Sequence, residues 1–587
     1  MGRALTPLIR ALHGARLVPH RAVGRFLALG ALGLASGCGA GAVAPPTSVL
    51  LITLDTTRAD VLSCRGESAS LFPTICGLSA EGVRFPIAYT VAPLTLPAHA
   101  SILSGLYPPR HGVRDNGLQA LPSSAETIAE YAGRSGRRTA AFVSTAILDR
   151  AYGLDQGFEV YDQPLLAARE QDNFYLERDA FTTAKRFVAW LSEIESERGF
   201  FAWLHFYDPH LPYAPPEDVQ EQTGGNAYLG EIALVDRALR DVFSALDACG
   251  RNATTWVVLT ADHGEALGEH GEPTHGALCY EATMRVPLLF RPPPGTTKTP
   301  GSMKYASVVD IHPTILRLLG LTPPPGVDGF DLFRADPESQ ASDSTRGVYF
   351  ESYSGYLYYG WSPLVGWVDG FGKYLHSSTP ELYLRSDPAE ERNVAVGRER
   401  ETNHARERIA DVLGRPQLET DRFEADGELQ RALWTLGYAG GVATHEDFPS
   451  PLAGSDRPAP LERLHELDLL HRAEALYRTG RIAEALPLVA SIVEENPKHL
   501  LALDLFALCS MHASRFGEAE EALRARLRYG PEKSDAHVNL ALCLEARGEL
   551  QGALTELERA AELNPHETVI ADELSRIRAL AQGKQVR

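Results

Sequence analysis

Cysteine and positive charge are both in short supply. Seven cysteines stand in 587 residues, at positions 38, 64, 76, 249, 279, 509 and 543, and none forms a Cys-x-x-Cys pair. That number is too small for a disulfide-built scaffold, and the spacing gives no thiolate metal site. Cys64 and Cys76 share one loop and either pair, in an oxidising compartment, or stay apart. Lys and Arg total 56 against 76 Asp and Glu, a net charge of −20. That sign repels polyphosphate backbones, so nucleic acid is not expected as a partner. An anionic substrate then needs a metal ion or local positive charge. The N-terminal apolar stretch Phe26 to Ala35 is shorter than the roughly 20 residues a helix needs to cross a bilayer. What is present is the composition of a folded, loop-rich protein, 44% hydrophobic and 22% charged, with 51 Gly and 39 Pro. At roughly 150 residues per domain the length suggests about four units.

The N-terminus reads as an export signal. Arg3, Arg10, Arg16, Arg21 and Arg25, with no acidic residue among them, precede the apolar stretch. Ala35-Ser36-Gly37-Cys38-Gly39 resembles a bacterial lipobox, which implies cleavage before Cys38 and its acylation. The protein would then be a lipoprotein on a membrane, facing periplasm or cell surface; an ordinary cleaved signal is the alternative. Residues 39–47, rich in Gly, Ala and Pro, form a tether. The remaining boundaries are a catalytic domain at 48–398, an extension and linker at 399–462 that includes Gly437-Tyr438-Ala439-Gly440-Gly441, and a repeat array at 463–582.

The array declares itself by period. Pro497, Pro531 and Pro565 recur every 34 residues, as do Ala473, Ala507 and Ala541, then Ala485, Ala519 and Ala553, then Gly480, Ser514 and Gly548. Small residues at two fixed places, a turn residue between them and a closing Pro resemble the tetratricopeptide repeat, about three units of paired helices, with Thr568 to Gln582 as a capping helix. Cys509 and Cys543 occupy equivalent places and are expected in the core rather than in a disulfide. The array offers a protein or peptide partner a groove, or serves only as a stabilising appendage.

Residues 48 to about 393 alternate apolar β-rich runs with helical stretches. The runs 49–54, 139–143, 200–206, 255–260 and 286–290 predict a mostly parallel sheet with helices on both faces, an α/β architecture. Ligands bind beyond the carboxyl ends of such strands. Three runs end in metal-type residues: Asp55, then Asp208-Pro209-His210, then Asp262-His263. A single strand-end Asp often only caps the next helix; three converge on one sheet edge. Thr95 precedes a helix with Pro97 in its first turn and Gly105 past its end, which places its hydroxyl at a positive helix terminus. A plain N-cap is the competing reading of Thr95.

Asp55-Thr56-Thr57-Arg58-Ala59-Asp60, Thr95-Leu96-Pro97-Ala98-His99 with Ser104-Gly105, His210-Leu211-Pro212-Tyr213, Asp262-His263-Gly264-Glu265, His275-Gly276 and the run from Tyr280 to Pro287 are similar, in order, to the motifs of the sulfatase branch of the alkaline-phosphatase superfamily. Glu381-Leu382-Tyr383, Asp387-Pro388-Ala389-Glu390 and Asn393 resemble that domain's last segment. The resemblance implies the alkaline-phosphatase/sulfatase-like fold and a metal-dependent hydrolase. Departures qualify the chemistry. Sulfatases oxidise a Cys or Ser to formylglycine within Cys/Ser-x-Pro-x-Arg; here Thr95, with a methyl on its β-carbon, cannot form that aldehyde, and His99 takes the Arg position. Thr56 replaces the second Asp of an Asp-Asp pair, Ser144-Thr145-Ala146 replaces a Lys-x-His, and His275 stands at the sulfate-pocket Lys. A Thr nucleophile with Asp, Asp and His looks instead like the superfamily's phosphodiesterases, phosphatases and phosphoethanolamine or phosphoglycerol transferases.

The expected divalent metal site is therefore Asp55, Thr95, Asp262 and His263, three oxygens and one imidazole nitrogen. That mixture favours zinc or manganese over calcium. His210 and His275 are expected to bind phosphoryl oxygens, or, with Asp208, to hold a second metal. His99 is counted with Thr95, His210 and His275 in the catalytic set, although His99 and His205 are equally readable as satisfied histidines that brace a ligand or pack in the core, and for His205 that reading is preferred. The leading expectation is a hydrolase or transferase acting on phosphate mono- or diesters through Thr95. The alternatives are a sulfuric ester hydrolase working without formylglycine and a catalytically silent binding scaffold.

Overall fold

Strand β1 (Ser48–Leu54) is buried along its whole length, because it runs through the middle of a sheet covered on both faces. In the computed structural model, which describes residues 47–164, 177–296, 305–333, 346–419, 448–565 and 568–582, six further strands join it. They are β2 (Val83–Arg84), β3 (Arg138–Phe142), β4 (Val160–Asp162), β5 (Phe200–Phe206), β6 (Thr255–Ala261) and β7 (Leu288–Arg291), in the order β2-β7-β6-β1-β5-β3-β4. The five from β6 to β4 are parallel; β7 pairs antiparallel with β6, and β2 antiparallel with β7 at the edge. The signal and Cys38, most of the tether, and Gly437 to Gly441 lie outside the described residues. Among the described residues no helix is long and apolar enough to cross a membrane.

Side chains of β1 alternate between two cores, as a period of two demands. Val49 and Leu51 pack with helices α2 (Thr95–Ser104), α3 (Ile128–Arg134) and α6 (Ile311–Leu318). Leu50, Ile52 and Leu54 pack on the other face with α1 (Pro73–Glu81), α4 (Ala180–Leu191) and α5 (Ala227–Ala248). The register positions the chemistry. Leu54 lies opposite Ala261 of β6 and Phe206 of β5. The next residues, Asp55 and Asp262, therefore leave the sheet side by side at its carboxyl edge.

A second, antiparallel sheet of β8 (Val348–Ser352), β9 (Leu364–Val368), β10 (Gly372–His376) and β11 (Glu381–Leu384) completes this domain. Helix α7 (Ser354–Tyr358) follows β8. Helix α8 (Glu399–Leu413) buries Ala405, Ile409 and Val412 in the same core as that sheet. The extension at 399–413 is thus packed rather than loose. Cys64 and Cys76 are joined by a disulfide.

The C-terminal helices are α9 (Leu464–Arg478), α10 (Ile482–Glu495), α11 (Leu500–His512), α12 (Phe516–Tyr529), α13 (Ser534–Ala546), α14 (Leu550–Leu563) and α15 (Thr568–Ala581). Their small-residue columns are buried, with Ala473, Ala485, Ala507, Ala519 and Ala553 fully so. Close approach of paired helices requires such residues. The turn column Gly480, Ser514 and Gly548 adopts positive φ, at 75°, 58° and 84°, which is why two of the three are Gly. Cys509 and Cys543 are buried and unpaired.

Candidate active site

Thr95 is the first residue of α2, and Leu94, in extended conformation, stands at the cap position. No side-chain capping bond is made at that position. The N-cap alternative is thereby corrected: the hydroxyl is turned instead toward His263, with Oγ1 3.5 Å from Nε2. Behind it, the Leu96 N–H donates to Asn116 Oδ1 at 2.8 Å. Gly105 at the far end of α2 takes φ 72° and closes the helix.

Three fully buried groups converge on the same point. Asp55 Oδ2 accepts from His205 Nε2 at 3.2 Å, and Asp262 Oδ1 accepts the backbone N–H groups of Thr56 and His263 at 3.3 and 2.8 Å. Each carboxylate thus has one anchored oxygen and one without a partner, Asp55 Oδ1 and Asp262 Oδ2. His263 donates Nδ1–H to Gly264 O at 2.9 Å, which leaves the lone pair on Nε2. That nitrogen lies 4.0 Å from Asp55 Oδ1 and 3.6 Å from Asp262 Oδ2. Burial and the neighbouring Asp262 hold the Asp55 carboxyl well above the ordinary range. Burial acts on Asp262 the same way, but the imidazoles of His263, His99 and His205 outweigh it and bring that carboxyl below its usual value. Two orphaned buried carboxylate oxygens and one oriented imidazole form a donor set that fits a divalent cation.

A second set of imidazoles flanks the first. His210 donates Nδ1–H to Leu211 O at 2.6 Å, and its Nε2 has no partner. Its ring stacks on Tyr207 with centroids 4.4 Å apart. His275 holds Nδ1 3.1 Å from Glu265 Oε1, and the His275 ring centroid is 4.5 Å from that of His263 and 5.1 Å from that of His210. Burial, then His275, push His210 down to about 3. Burial opposes charge on His275 too, yet the Glu265 carboxylate beside it prevails and raises its value.

The sulfatase family profile matches residues 47–321, which span all of these side chains. The chain carries a sulfatase-family domain. That domain is a sulfatase-family hydrolase, and it is followed by a tetratricopeptide repeat matched at residues 511–568. An ulvan-active sulfatase of Formosa agariphila is 24% identical over 449 residues, 66% of this chain and 81% of that protein. Two solved structures share the fold. A phosphonate monoester hydrolase of Agrobacterium radiobacter aligns with TM-score 0.50 at 21% identity, over 62% of this chain and 95% of its own. A Bacteroides fragilis protein assigned to the sulfatases aligns with TM-score 0.53 at 17% identity, over 68% and 100%. Enzymes of the sulfatase superfamily use a divalent metal.

Within the sulfatase domain the strand-end residues do not all share one fate. Among the described residues two groups of three have ligand atoms close enough for a cation, Asp55 with Asp262 and His263, and His99 with His205 and Asp262. Neither includes Asp208, His210 or His275. Asp208 of the expected second metal set stands apart from both groups: its Oδ1 accepts the Ala180 N–H at 2.8 Å, at the start of α4, while its buried Oδ2 has no partner. His99 is engaged at both nitrogens, donating Nδ1–H to Thr95 O at 2.8 Å and accepting the Thr53 hydroxyl at Nε2, 3.0 Å. Thr53 Oγ1 in turn takes Trp203 Nε1–H at 2.9 Å. His99 therefore braces the first turn of α2. His205 braces Asp55 through Nε2.

Asn116 and Glu265 carry roles that the residue pattern did not assign. Asn116 is fully buried, and its Nδ2 has no partner; in Asp115-Asn116-Gly117 it reads only as a turn. Glu265 fixes His275 with one oxygen and takes the Tyr213 hydroxyl at 2.8 Å with the other. It lies inside the Asp-His-Gly-Glu motif, and that position was the available signal.

Proposed function

We propose that the sulfatase domain cleaves phosphate mono- or diesters, with Thr95 as the nucleophile. The observation that carries this reading is a Thr hydroxyl, unable to become formylglycine, set 3.5 Å from the lone pair of His263. Asp55, Asp262, His263 and Thr95 would hold the divalent cation, with zinc or manganese favoured over calcium by the imidazole nitrogen. Bound there, the cation would stabilise the Thr95 alkoxide and polarise the phosphoryl group. The chain's own groups complete the chemistry. His99 and Asn116 fix the turn that presents Thr95. His275, whose protonated form the Glu265 carboxylate favours, and the unpartnered Asn116 Nδ2 are the donors available to non-bridging oxygens, while neutral His210, with its proton on Nδ1, presents a lone pair at Nε2. Attack forms the Thr95 Oγ–phosphorus bond and breaks the bond to the leaving alcohol. Water or an acceptor alcohol then takes the phosphoryl group from threonine, giving a hydrolase or a transferase.

Export and lipid tethering through Cys38 belong to the same reading, supported by the Cys64–Cys76 disulfide, which suits an oxidising compartment. The repeats are assigned a protein or peptide partner. A second reading, hydrolysis of sulfate esters, is favoured by the likeness to an ulvan-active sulfatase. One comparison separates the two. The chain from residue 46 onward, supplied with zinc, manganese or calcium, is given matched aryl phosphate monoesters, phosphodiesters and sulfate esters, with Thr95→Ala as the blank. Phosphoryl turnover lost in the variant supports the proposal. Sulfate turnover exceeding phosphate turnover would mean that Thr95 replaces formylglycine, and would sink it.

A further inference from the structure

The first repeats are not held at arm's length from the enzyme. Glu466 of α9 is fully buried and accepts from Trp361 Nε1 and Asn496 Nδ2, each at 2.9 Å. Asn496 Nδ2 also donates to Tyr359 O at 2.7 Å, and Tyr359 meets the His499 ring with centroids 5.3 Å apart. Gly360, at φ 71°, lies so close that a Cβ there would stand 2.7 Å from Lys498 O. A buried carboxylate bonded across a boundary and a backbone contact with no room for a methyl describe a fixed joint, not a hinge.

That joint leads to the nucleophile. Leu501 of α11 packs against the cluster of Leu118, Tyr353, Leu357 and Tyr358. Tyr358, at the end of α7, donates its hydroxyl to Asp115 Oδ2. Asp115 is fully buried and is followed by Asn116, whose Oδ1 holds the Leu96 N–H next to Thr95. A second contact reaches the other side of the site: Leu464 of α9 stands 3.3 Å from where a Gly271 Cβ would be, in the loop that leads to His275.

We propose that the first two repeats form a wall of the catalytic centre, and that Tyr358 and Asp115 are positioning residues that hold Asn116, and through it the first turn of α2, in place. The inference rests on Thr95 being the nucleophile, as proposed above, but not on which ester it attacks. A turn carrying an attacking oxygen tolerates little displacement, and about an ångström of misplacement is enough to cost on the order of a hundredfold in rate.

The test uses the full chain. Tyr358→Phe keeps the ring and removes only the hydroxyl. Gly360→Ala wedges the joint open at a residue remote from substrate. Both are compared with wild type by kcat and KM on whichever ester the wild type cleaves, and by hydrogen exchange of the amides of residues 94–98 other than Pro97. We expect kcat to fall about tenfold in each variant with KM within about twofold, and exchange at 94–98 to speed up about tenfold. Unchanged kcat and exchange in both variants would overturn the proposal. A response in Gly360→Ala alone would overturn the route through Tyr358. Should the wild type turn over no ester offered, the exchange measurement decides by itself, which separates failure of this inference from failure of the assigned chemistry.

Discussion

Two buried charged clusters in the sulfatase domain follow opposite plans. Arg114 and Glu351, 4% and 1% exposed, make a closed bidentate pair at 2.7 and 2.6 Å. Tyr349 donates to the same carboxylate, and the guanidinium lies over the Tyr353 ring at 4.3 Å. Every buried polar atom of that pair is served, and the net charge is zero. Asp55 and Asp262 are buried just as deeply, but they face each other, and each keeps an oxygen without a partner. A closed pair holds the fold together and leaves nothing for a ligand. An open cluster of like charge weakens the empty protein, and what it gains in return is a place for a cation.

The comparison breaks most visibly at the nucleophile. Thr95→Ala is expected to lower kcat/KM by about a thousandfold or more, roughly 4 kcal/mol of transition-state stabilisation, with the unfolding midpoint little changed. Activity surviving in that variant would mean that the open cluster works without its hydroxyl. Next in size are two neutralisations with opposite signs. Glu351→Gln should cost about 3–5 kcal/mol in denaturant unfolding, because it leaves a guanidinium buried with half a partner. In chelator-treated protein, Asp55→Asn should instead gain about 1 kcal/mol. The folded carboxyl sits above its unfolded value, so its charged form disfavours folding at neutral pH.

Adding a divalent metal should then reverse the balance at the open cluster. At a hundredfold excess over Kd it is expected to stabilise the wild type by about 2.7 kcal/mol in thermal unfolding, and Asp262→Asn should abolish that gain. The smallest effect concerns Glu272, whose carboxyl burial pushes up to about 8. An unfolded Glu ionises near 4.3, so this group loses stability as pH rises from about 4.5 to about 8. Glu272→Gln should flatten the fall in midpoint across that window, by about 1 kcal/mol. An unchanged slope would place the titration elsewhere.

Much of the open cluster was legible before folding. Asp55, Asp262 and His263 follow buried strands directly, and a parallel sheet carries such residues to one edge. Asp208 shows where that rule stops. It too follows a buried strand, two residues beyond β5, and keeps one buried oxygen without a partner, yet its other oxygen takes the N–H of Ala180 and it belongs to neither group of converging ligand atoms. From the chain alone, a strand-end Asp that caps a helix and one that waits for a metal look alike. His99 and His205 were ambiguous for the same reason, since an imidazole bracing a helix turn and one near a metal have the same identity and the same burial. Asn116 sits in a loop with no periodicity, so nothing in its neighbourhood marked it, and Glu265 was marked only by its place in the Asp-His-Gly-Glu motif.

The chain by itself determined what is local or periodic: the strands with their apolar alternation, the three polar strand ends, and the 34-residue repeat with its small-residue columns. These follow from backbone geometry, which repeats over a few residues or one helical hairpin. Only the tertiary structure decided which side chains finish the site. Leu96 and Asn116 meet across 20 residues, Asp115 and Tyr358 across 243, and Trp361 and Glu466 across 105. Such contacts depend on where whole elements pack, and packing is settled by the complete set of neighbours at once.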